Sequence, residues 1–432
     1  MPAPEKPDPA LLDPAFLGRA IRARVRAVLK AHDPHNPALD QRWTDTTRLD
    51  DRDDGDGALG LQSVALMDAA TAVATQWRID AAGLDDLLLA RRRFDQWAAI
   101  AARAQAALHK QGGACVTVET SGTTGPAKAV THPTRRLLDE TAFWAAHFQS
   151  RRRIVAAVPA HHIYGLLFTV FLPQALHVPV LEADHQMPGT LIRALAPGDL
   201  VIGHPDFWRR MARALADGAI ALPRNGHQGA AGNVAGVTST APFDDALTAP
   251  LQAAGLALTD IVGASETGGL GWRPAGAADY TLLPNWQRHG DTHLKDRQGH
   301  MTEIPDHLDW TGPRRFRVAG RRDGMVQVAG HNVCPDHVRA EICAVTGVAA
   351  ARVTLEDGPY GARLHARVTA ATDPATAPET PDTLLAAVRD HLATHLPAAA
   401  QPRLSLEPAE SLESGETLEP HPAPPEKDTH TP

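Results

Sequence analysis

Cysteine is scarce in this 432-residue chain: Cys115, Cys334 and Cys343 are scattered along it. That pattern excludes a disulfide framework and suits a reducing compartment, so a cytoplasmic protein is expected. Long apolar runs are missing as well. The greasiest stretch, Gly165 to Val178, is too short to cross a bilayer. The first residues bring acids and prolines in place of an apolar leader, so no signal peptide is expected. There is no basic excess either. Lys plus Arg number 42 against 50 Asp plus Glu, a formal net charge of −8, which argues against nucleic acid or an anionic membrane surface as a partner. The 22 histidines show no paired metal-ligand spacing. The acidic run Asp50 to Gly57 lacks the glutamate that closes an EF-hand, and it reads as a solvated loop.

What is present is a chain long enough for two or three domains, with 43% hydrophobic residues to build cores. Residues 13–31 read as a basic amphipathic helix. Leu66, Ala70, Val73 and Trp77 recur at helical spacing, and a shorter apolar segment ends in Phe94-Asp95-Gln96-Trp97. From Gly113 to about Asp291 short apolar runs alternate with amphipathic stretches. The strand-like runs are 154–158, 178–181, 200–203, 234–239 and 258–262, with helices expected at 137–148 and 207–216. This alternation predicts an α/β fold, a parallel sheet covered by helices. In such a sheet ligands sit beyond the carboxyl ends of the strands. Residues 283–333 read as short strands and hairpins, and a smaller unit follows with helices near 335–345 and 381–395. The expected divisions are a helical segment over 1–105, a large domain over 106–322, a small α+β domain over 323–406 and a disordered Pro/Glu-rich tail over 407–432.

The run Thr120-Ser121-Gly122-Thr123-Thr124-Gly125-Pro126-Ala127-Lys128 reads as a phosphate cradle. Its glycines let the backbone turn with positive φ and bring N–H groups close to an anion. Its hydroxyls add donors, and Lys128 adds a compact positive charge. A Walker A loop needs four residues between its glycines, whereas Gly122 and Gly125 are separated by two. Strand-like text on both sides, Ala114–Val118 and Ala129–Thr131, predicts a strand–loop–strand unit.

The loop resembles the signature of the adenylate-forming enzymes, the superfamily of acyl-CoA synthetases and aryl-acid ligases, with Pro126 and Ala127 exchanged. Other segments are similar to that family in its order. In Pro159-Ala160-His161-His162-Ile163-Tyr164-Gly165 the resemblance implies that His162 gates the acyl pocket beside the adenylate. Gly236–Pro242, with Ser239 and Thr240, resembles the small-residue strand end along the adenine and acyl group, where a flat base slides against backbone. Gly263-Ala264-Ser265-Glu266-Thr267 resembles the Tyr-Gly-x-Thr-Glu motif, with Val262 in place of the tyrosine. This implies that Gly263 lies at the nucleotide, that Ser265 contacts the α-phosphate and that Glu266 holds Mg²⁺, a cation that prefers carboxylate and phosphate oxygens. The Thr-Gly-Asp motif has its nearest text in His307–Pro313, where Pro313 replaces the aspartate. Asp309 is the favoured equivalent for binding the ribose hydroxyls, and Asp306 competes. Gly320-Arg321-Arg322-Asp323-Gly324 resembles the hinge motif, implying that Arg321 reaches ribose or phosphate and that Asp323 is the pivot.

The resemblance covers about residues 113 to 345. It implies the adenylate-forming fold, with a large parallel-sheet domain and a small α+β domain. The expected reagents are ATP, Mg²⁺ and CoA, or the phosphopantetheine of a carrier protein, with Lys128, Glu266 and His162 as catalytic candidates. The chain looks most like a short bacterial branch that includes 4-coumarate–CoA ligases, so the expected partners are a small aryl or arylacrylic acid, 4-coumarate first, and CoA or an acyl carrier protein. Glu416, in Ser414-Gly415-Glu416, stands where the family has a catalytic lysine, and an acid there repels a triphosphate. Three alternatives stay open: slow adenylation or another cation, such as Lys427 or Arg403; chiefly thiol transfer; or a catalytically impaired nucleotide- or acyl-binding regulatory module. The text around Ser63 resembles an acyl carrier protein, with Gln62 and Val64 altering its Asp-Ser-Leu. The other reading is a helical bundle with Ser63 as helix N-cap. Phe207 and Trp208 either line the acyl pocket or pack a helix start.

Overall fold

The first of two units, Met1–Val333, opens with four helices, which two antiparallel strands and a mixed sheet with further helices follow. The computed structural model describes residues 12–51, 57–119, 128–183, 186–216, 221–223, 233–328, 331–356, 358, 362–371 and 380–407. Helix α1 (Pro14–His32) starts where the Asp13 carboxylate accepts from the Ala15 N–H and Pro14 opens the first turn. Lys30 and His32 fall in its last turn, where the helix dipole favours positive charge. Leu17, Ile21, Val25 and Leu29 form its buried stripe. In α2 (Ser63–Trp77) the cap position belongs to Gln62, which makes no side-chain cap bond. Ser63 is therefore the first helical residue and not the expected N-cap. After the short α3 (Asp86–Ala90), α4 (Phe94–Lys110) buries Phe94, Trp97, Ala101 and Leu108.

These helices share one hydrophobic cluster with the main sheet, running from Leu17, Trp77 and Trp97 through Phe168 and Ile202 to Phe316. The helices therefore have no core of their own. The division expected at 105/106 has no counterpart, and the compact unit ends at Val333 and not at 322. Strands β1 (Cys115–Glu119) and β2 (Ala129–Pro133) pair antiparallel, with Glu119 opposite Ala129 at their open end. The phosphate-loop residues Thr120–Ala127 lie outside the described residues. The strands are pinned by Gln105, whose amide N–H₂ donates to the Trp77 and Cys115 carbonyls at 2.7 and 2.8 Å. Its Oε1 accepts from the Thr134 hydroxyl at the start of α5 (Thr134–His147).

The parallel part of the main sheet follows. Its elements are β3 (Arg153–Ala156), α6 (Ile163–Leu166), α7 (Leu172–Leu176), β4 (Val180–Glu182), α8 (Pro188–Ala194), β5 (Asp199–Gly203), α9 (Pro205–Ala216), β6 (Ala235–Thr238), α10 (Thr248–Ala253) and β7 (Ala257–Ala264). Leu167–Phe171 join α6 to α7 as a π-helical turn. Ile154, Leu200 and Ile202 feed one core, while Val155 and Val201 feed a second with Trp208, Met211 and Leu258. Helical cover on both faces explains why β5 is buried throughout.

From β7 the sheet continues antiparallel, beyond the expected parallel part. Strands β8 (Gly268–Pro274) and β9 (Tyr280–Leu282) precede a separate three-stranded sheet of β10 (Trp286–His289), β11 (His293–Asp296) and β12 (Met301–Glu303). Then β13 (Asp306–Gly312) and β14 (Arg315–Arg321) complete the order β13-β14-β9-β8-β7-β6-β5-β3-β4. The link from β7 to β8 is a tight turn, and only an antiparallel neighbour can be reached without a crossover. The pair β15 (Val326–Val328) and β16 (His331–Val333) ends the unit.

The second unit, Cys334–Pro432, holds α11 (Pro335–Cys343), β17 (Val348–Glu356), β18 (Arg363–Ala370), α12 (Pro381–His395) and β19 (Arg403–Leu406). Strand β18 pairs antiparallel with β17 and parallel with β19. Val338 and Ile342 of α11 and Leu384, Val388 and Leu392 of α12 are buried. His391 and His395 fall one turn apart on α12, a paired spacing that the reading of the histidines missed. Glu416, Lys427 and the tail from 408 onward lie outside the described residues. Among the described residues no helix is long and apolar enough to cross a membrane.

Candidate active site

Among the described residues, His162, Ser239, Thr240, Gly263, Ser265 and Glu266 stand at or beyond the ends of the parallel strands β3, β6 and β7. Beyond β3 the His161 and His162 rings lie 4.0 Å apart. Burial, then the charges of His162 and Arg24, hold His161 well below the usual imidazole range, so it is neutral at pH 7. Its backbone carbonyl accepts from the Gln76 amide at 3.0 Å. His162 is the exposed member and caps α6. Beyond β6, the buried Ser239 hydroxyl donates to the Ile261 carbonyl at 2.8 Å. Thr240 follows with φ of +80°, a backbone conformation unfavourable for a β-branched residue. At Gly236 the small residue has a packing cause. A Cβ on Gly236 would stand 2.5 Å from the Trp208 ring, so the glycine makes room for tryptophan. Trp208 and Phe207 are buried in the second core, which favours packing over pocket lining.

Beyond β7 comes the Gly263–Thr267 turn. A Cβ on Gly263 would lie 2.1 Å from the Gly268 carbonyl oxygen, so the turn closes only around glycine. The Thr267 hydroxyl accepts from the Ala264 N–H at 3.0 Å and donates to the Gly268 carbonyl at 2.8 Å. The turn is anchored from β2 and α5 by residues that sequence reading missed. His132 Nε2–H donates to the Ser265 carbonyl at 2.7 Å, and the Arg136 guanidinium donates to the Glu266 carbonyl at 2.8 Å. Burial, then Arg136, pulls the His132 pKa down to about 4, so its ring is a neutral donor at pH 7. Lys128 is exposed one residue before β2, the strand that carries His132.

Glu140, fully buried one helical turn after Arg136, receives the Gly269 N–H at 3.1 Å and the Trp144 indole N–H at 3.2 Å. Burial pushes its carboxyl up to about 7, partly offset by these donors and by Arg136. The fold therefore binds this proton more tightly than the unfolded chain does. The associated stability is fully present below about pH 4.5 and is lost as pH rises through about 7, on the order of 3 kcal/mol in total. Glu140→Gln keeps an acceptor for Gly269 and does not titrate. Between about pH 5 and about pH 8 the melting temperature of the native chain should fall relative to this variant. Parallel melting curves would contradict the assignment.

At the far edge of the sheet, Asp306 and Arg321 are register partners of β13 and β14. Their charged groups lie 4.0 Å apart, while Asp323 holds Arg321 bidentately at 2.9 and 2.5 Å. Burial raises the Asp306 carboxyl above its ordinary range, Arg321 opposes this, and Asp323 and Glu266 raise it further. Glu266 acts electrostatically on Arg321 as well, so Glu266, Asp306 and Arg321 belong to one cluster. Asp309 does not. It is exposed and pairs in register with Arg317. Of the two competing acids, it is Asp306 that lies beside Arg321. The Thr311-Gly312 dipeptide lies nearer Asp309 in sequence, whereas the β13–β14 hairpin brings Asp306 opposite Arg321.

The family described as AMP-binding enzyme matches residues 44–300. A 4-coumarate–CoA ligase of Rhodobacter capsulatus is 35% identical over 341 residues, covering 75% of this chain and 81% of the relative. One from Halorhodospira halophila is 35% identical over 347 residues, covering 79% and 82%. Among solved structures, an o-succinylbenzoate CoA synthetase from Bacillus subtilis bound with a product analogue aligns with a TM-score of 0.54 at 13% identity, over 91% of this chain and 88% of that one. A malonyl-CoA ligase with methylmalonyl-CoA and AMP bound aligns with a TM-score of 0.52 at 20% identity, over 68% and 70%. At these identities the structural likenesses show the fold.

Proposed function

The chain belongs to the AMP-binding enzyme family and is an AMP-forming acid–thiol ligase, and from that premise we propose that it joins an aryl or arylacrylic acid, 4-coumarate first, to CoA. The observation that supports the nucleotide chemistry is the approach of Asp306 to Arg321, which Asp323 holds bidentately, with Glu266 near enough to act on both charges. The acid is favoured as 4-coumarate by the names of the curated relatives at 35% identity.

In the proposed first step an acid carboxylate oxygen attacks the α-phosphorus of ATP. A P–O bond forms, the bond to the bridging oxygen breaks, and pyrophosphate leaves with the electron pair. Lys128 and the loop before it neutralise the phosphates. Ser265 donates to the α-phosphate, Asp306 accepts from the ribose hydroxyls, and Arg321 compensates the Asp306 charge. Gly263, Ser239 and Thr240 form the small-residue wall of the nucleotide site. The half-buried Glu266 has the donor chemistry for Mg²⁺, which when bound offsets charge on the departing pyrophosphate. In the second step a thiolate attacks the acyl carbon and AMP departs. In this reading His162, exposed beside a neutral His161, borders the acyl group.

Release of AMP and pyrophosphate, measured over a panel of acids with CoA or a pantetheinylated carrier as acceptor, tests this reading. The expected result is the highest kcat/KM with 4-coumarate and CoA. Preference for an aliphatic acid would overturn the acid assignment, and absence of AMP with every acid would overturn retained catalysis.

A further inference from the structure

We propose that the second unit carries a divalent transition-metal site, zinc by preference, formed by Glu341 of α11 with His391 and His395 of α12. Among the described residues this is the one group of three His, Cys, Asp or Glu side chains whose ligand atoms come together, all within 4.8 Å of one another. Residues four apart share a helix face, and the two rings lie nearly parallel with centroids 4.0 Å apart. Glu341 enters from the neighbouring helix, its Oε2 2.9 Å from His391 Nε2. The ligand-bearing turns stand on a packed base of Val338, Ile342, Val388 and Leu392, which limits the entropy lost on binding.

The hydrogen bonding assigns the donor atoms. His395 Nδ1 lies 2.8 Å from the His391 carbonyl oxygen. A carbonyl only accepts, so Nδ1 carries the hydrogen and the neutral ring keeps its lone pair on Nε2. An imidazole whose second nitrogen donates to a backbone carbonyl is the usual arrangement of a metal-ligating histidine. At His391 the metal takes the place of the hydrogen between Nε2 and Glu341. A neutral ring moves that hydrogen to Nδ1, and an imidazolium releases it to solvent. Two imidazoles and one carboxylate suit zinc over magnesium or calcium, with water completing four-coordination. Tetrahedral ligands at zinc distances stand about 3.4 Å apart. Side-chain rotation closes the remaining gap, since His395 is exposed and Glu341 and His391 are half-buried.

Calorimetric titration of the metal-free full-length chain with Zn²⁺, and visible absorption with Co²⁺ as a probe, test the site. One equivalent per chain is expected, together with a Zn²⁺-dependent rise in melting temperature, because only the folded chain assembles the three ligands. His395→Gln, an exposed change that leaves both helices packed, should abolish the equivalent and the rise, and Glu341→Gln should weaken both. No bound equivalent in the native chain would overturn the proposal. So would an unchanged titration in His391→Gln/His395→Gln, which would assign the binding to other histidines.

Discussion

Asp306→Asn should lower kcat/KM for ATP by about 10²-fold, while Asp309→Asn stays within about twofold of the native chain. A hydrogen bond to a charged group contributes about 1.5–3 kcal/mol. The asparagine amide keeps one acceptor and turns the other into a donor, leaving one ribose hydroxyl unmet in a water-poor site. Asp306 is buried beside Arg321, and its carboxyl is already raised by desolvation. The loss therefore falls where the effective dielectric is low and the interaction is strong. Asp309 stands exposed opposite Arg317, where a single charge change is screened. ATP-dependent adenylate formation measured for both variants decides between the two acids. A large loss in Asp309→Asn with none in Asp306→Asn would refute the assignment from the β13–β14 register.

Glu266→Gln should lower kcat by about 10²–10³-fold and raise the Mg²⁺ concentration needed for half-maximal rate. The substitution keeps the shape of the side chain and leaves the backbone carbonyl available to Arg136 at 2.8 Å. The turn should therefore stay in place while the anionic ligand is lost. A fall in kcat with unchanged Mg²⁺ dependence would separate a general electrostatic role from metal binding. No fall at all would remove Glu266 from the chemistry.

The Ser265–Glu266 run was legible as a motif, because its neighbours in sequence are its neighbours in the turn. Its anchors were not. His132 and Arg136 reach it across separations of 133 and 130 residues, and Glu140 holds Gly269 just beyond it across 129; nothing local distinguishes them from ordinary residues of a strand and a helix. Gly236 was legible as a required small residue, but its packing cause was not, since the Trp208 ring that occupies the space comes from another element. His391 and His395 were readable as a helical pair once α12 was recognised, whereas Glu341 meets them only through helix packing.

By itself the sequence determined the α/β alternation, the order of the nucleotide motifs and the helical positions of the second unit. Each of these rests on periodicities of two to four residues or on contiguous text. Only the tertiary structure decided that the sheet turns antiparallel after β7, that helices 14–110 share its core and that Asp306 lies beside Arg321. Strand register and helix packing carry those outcomes, because they join residues far apart in the chain through cross-strand hydrogen bonds and buried apolar surface that no local pattern encodes.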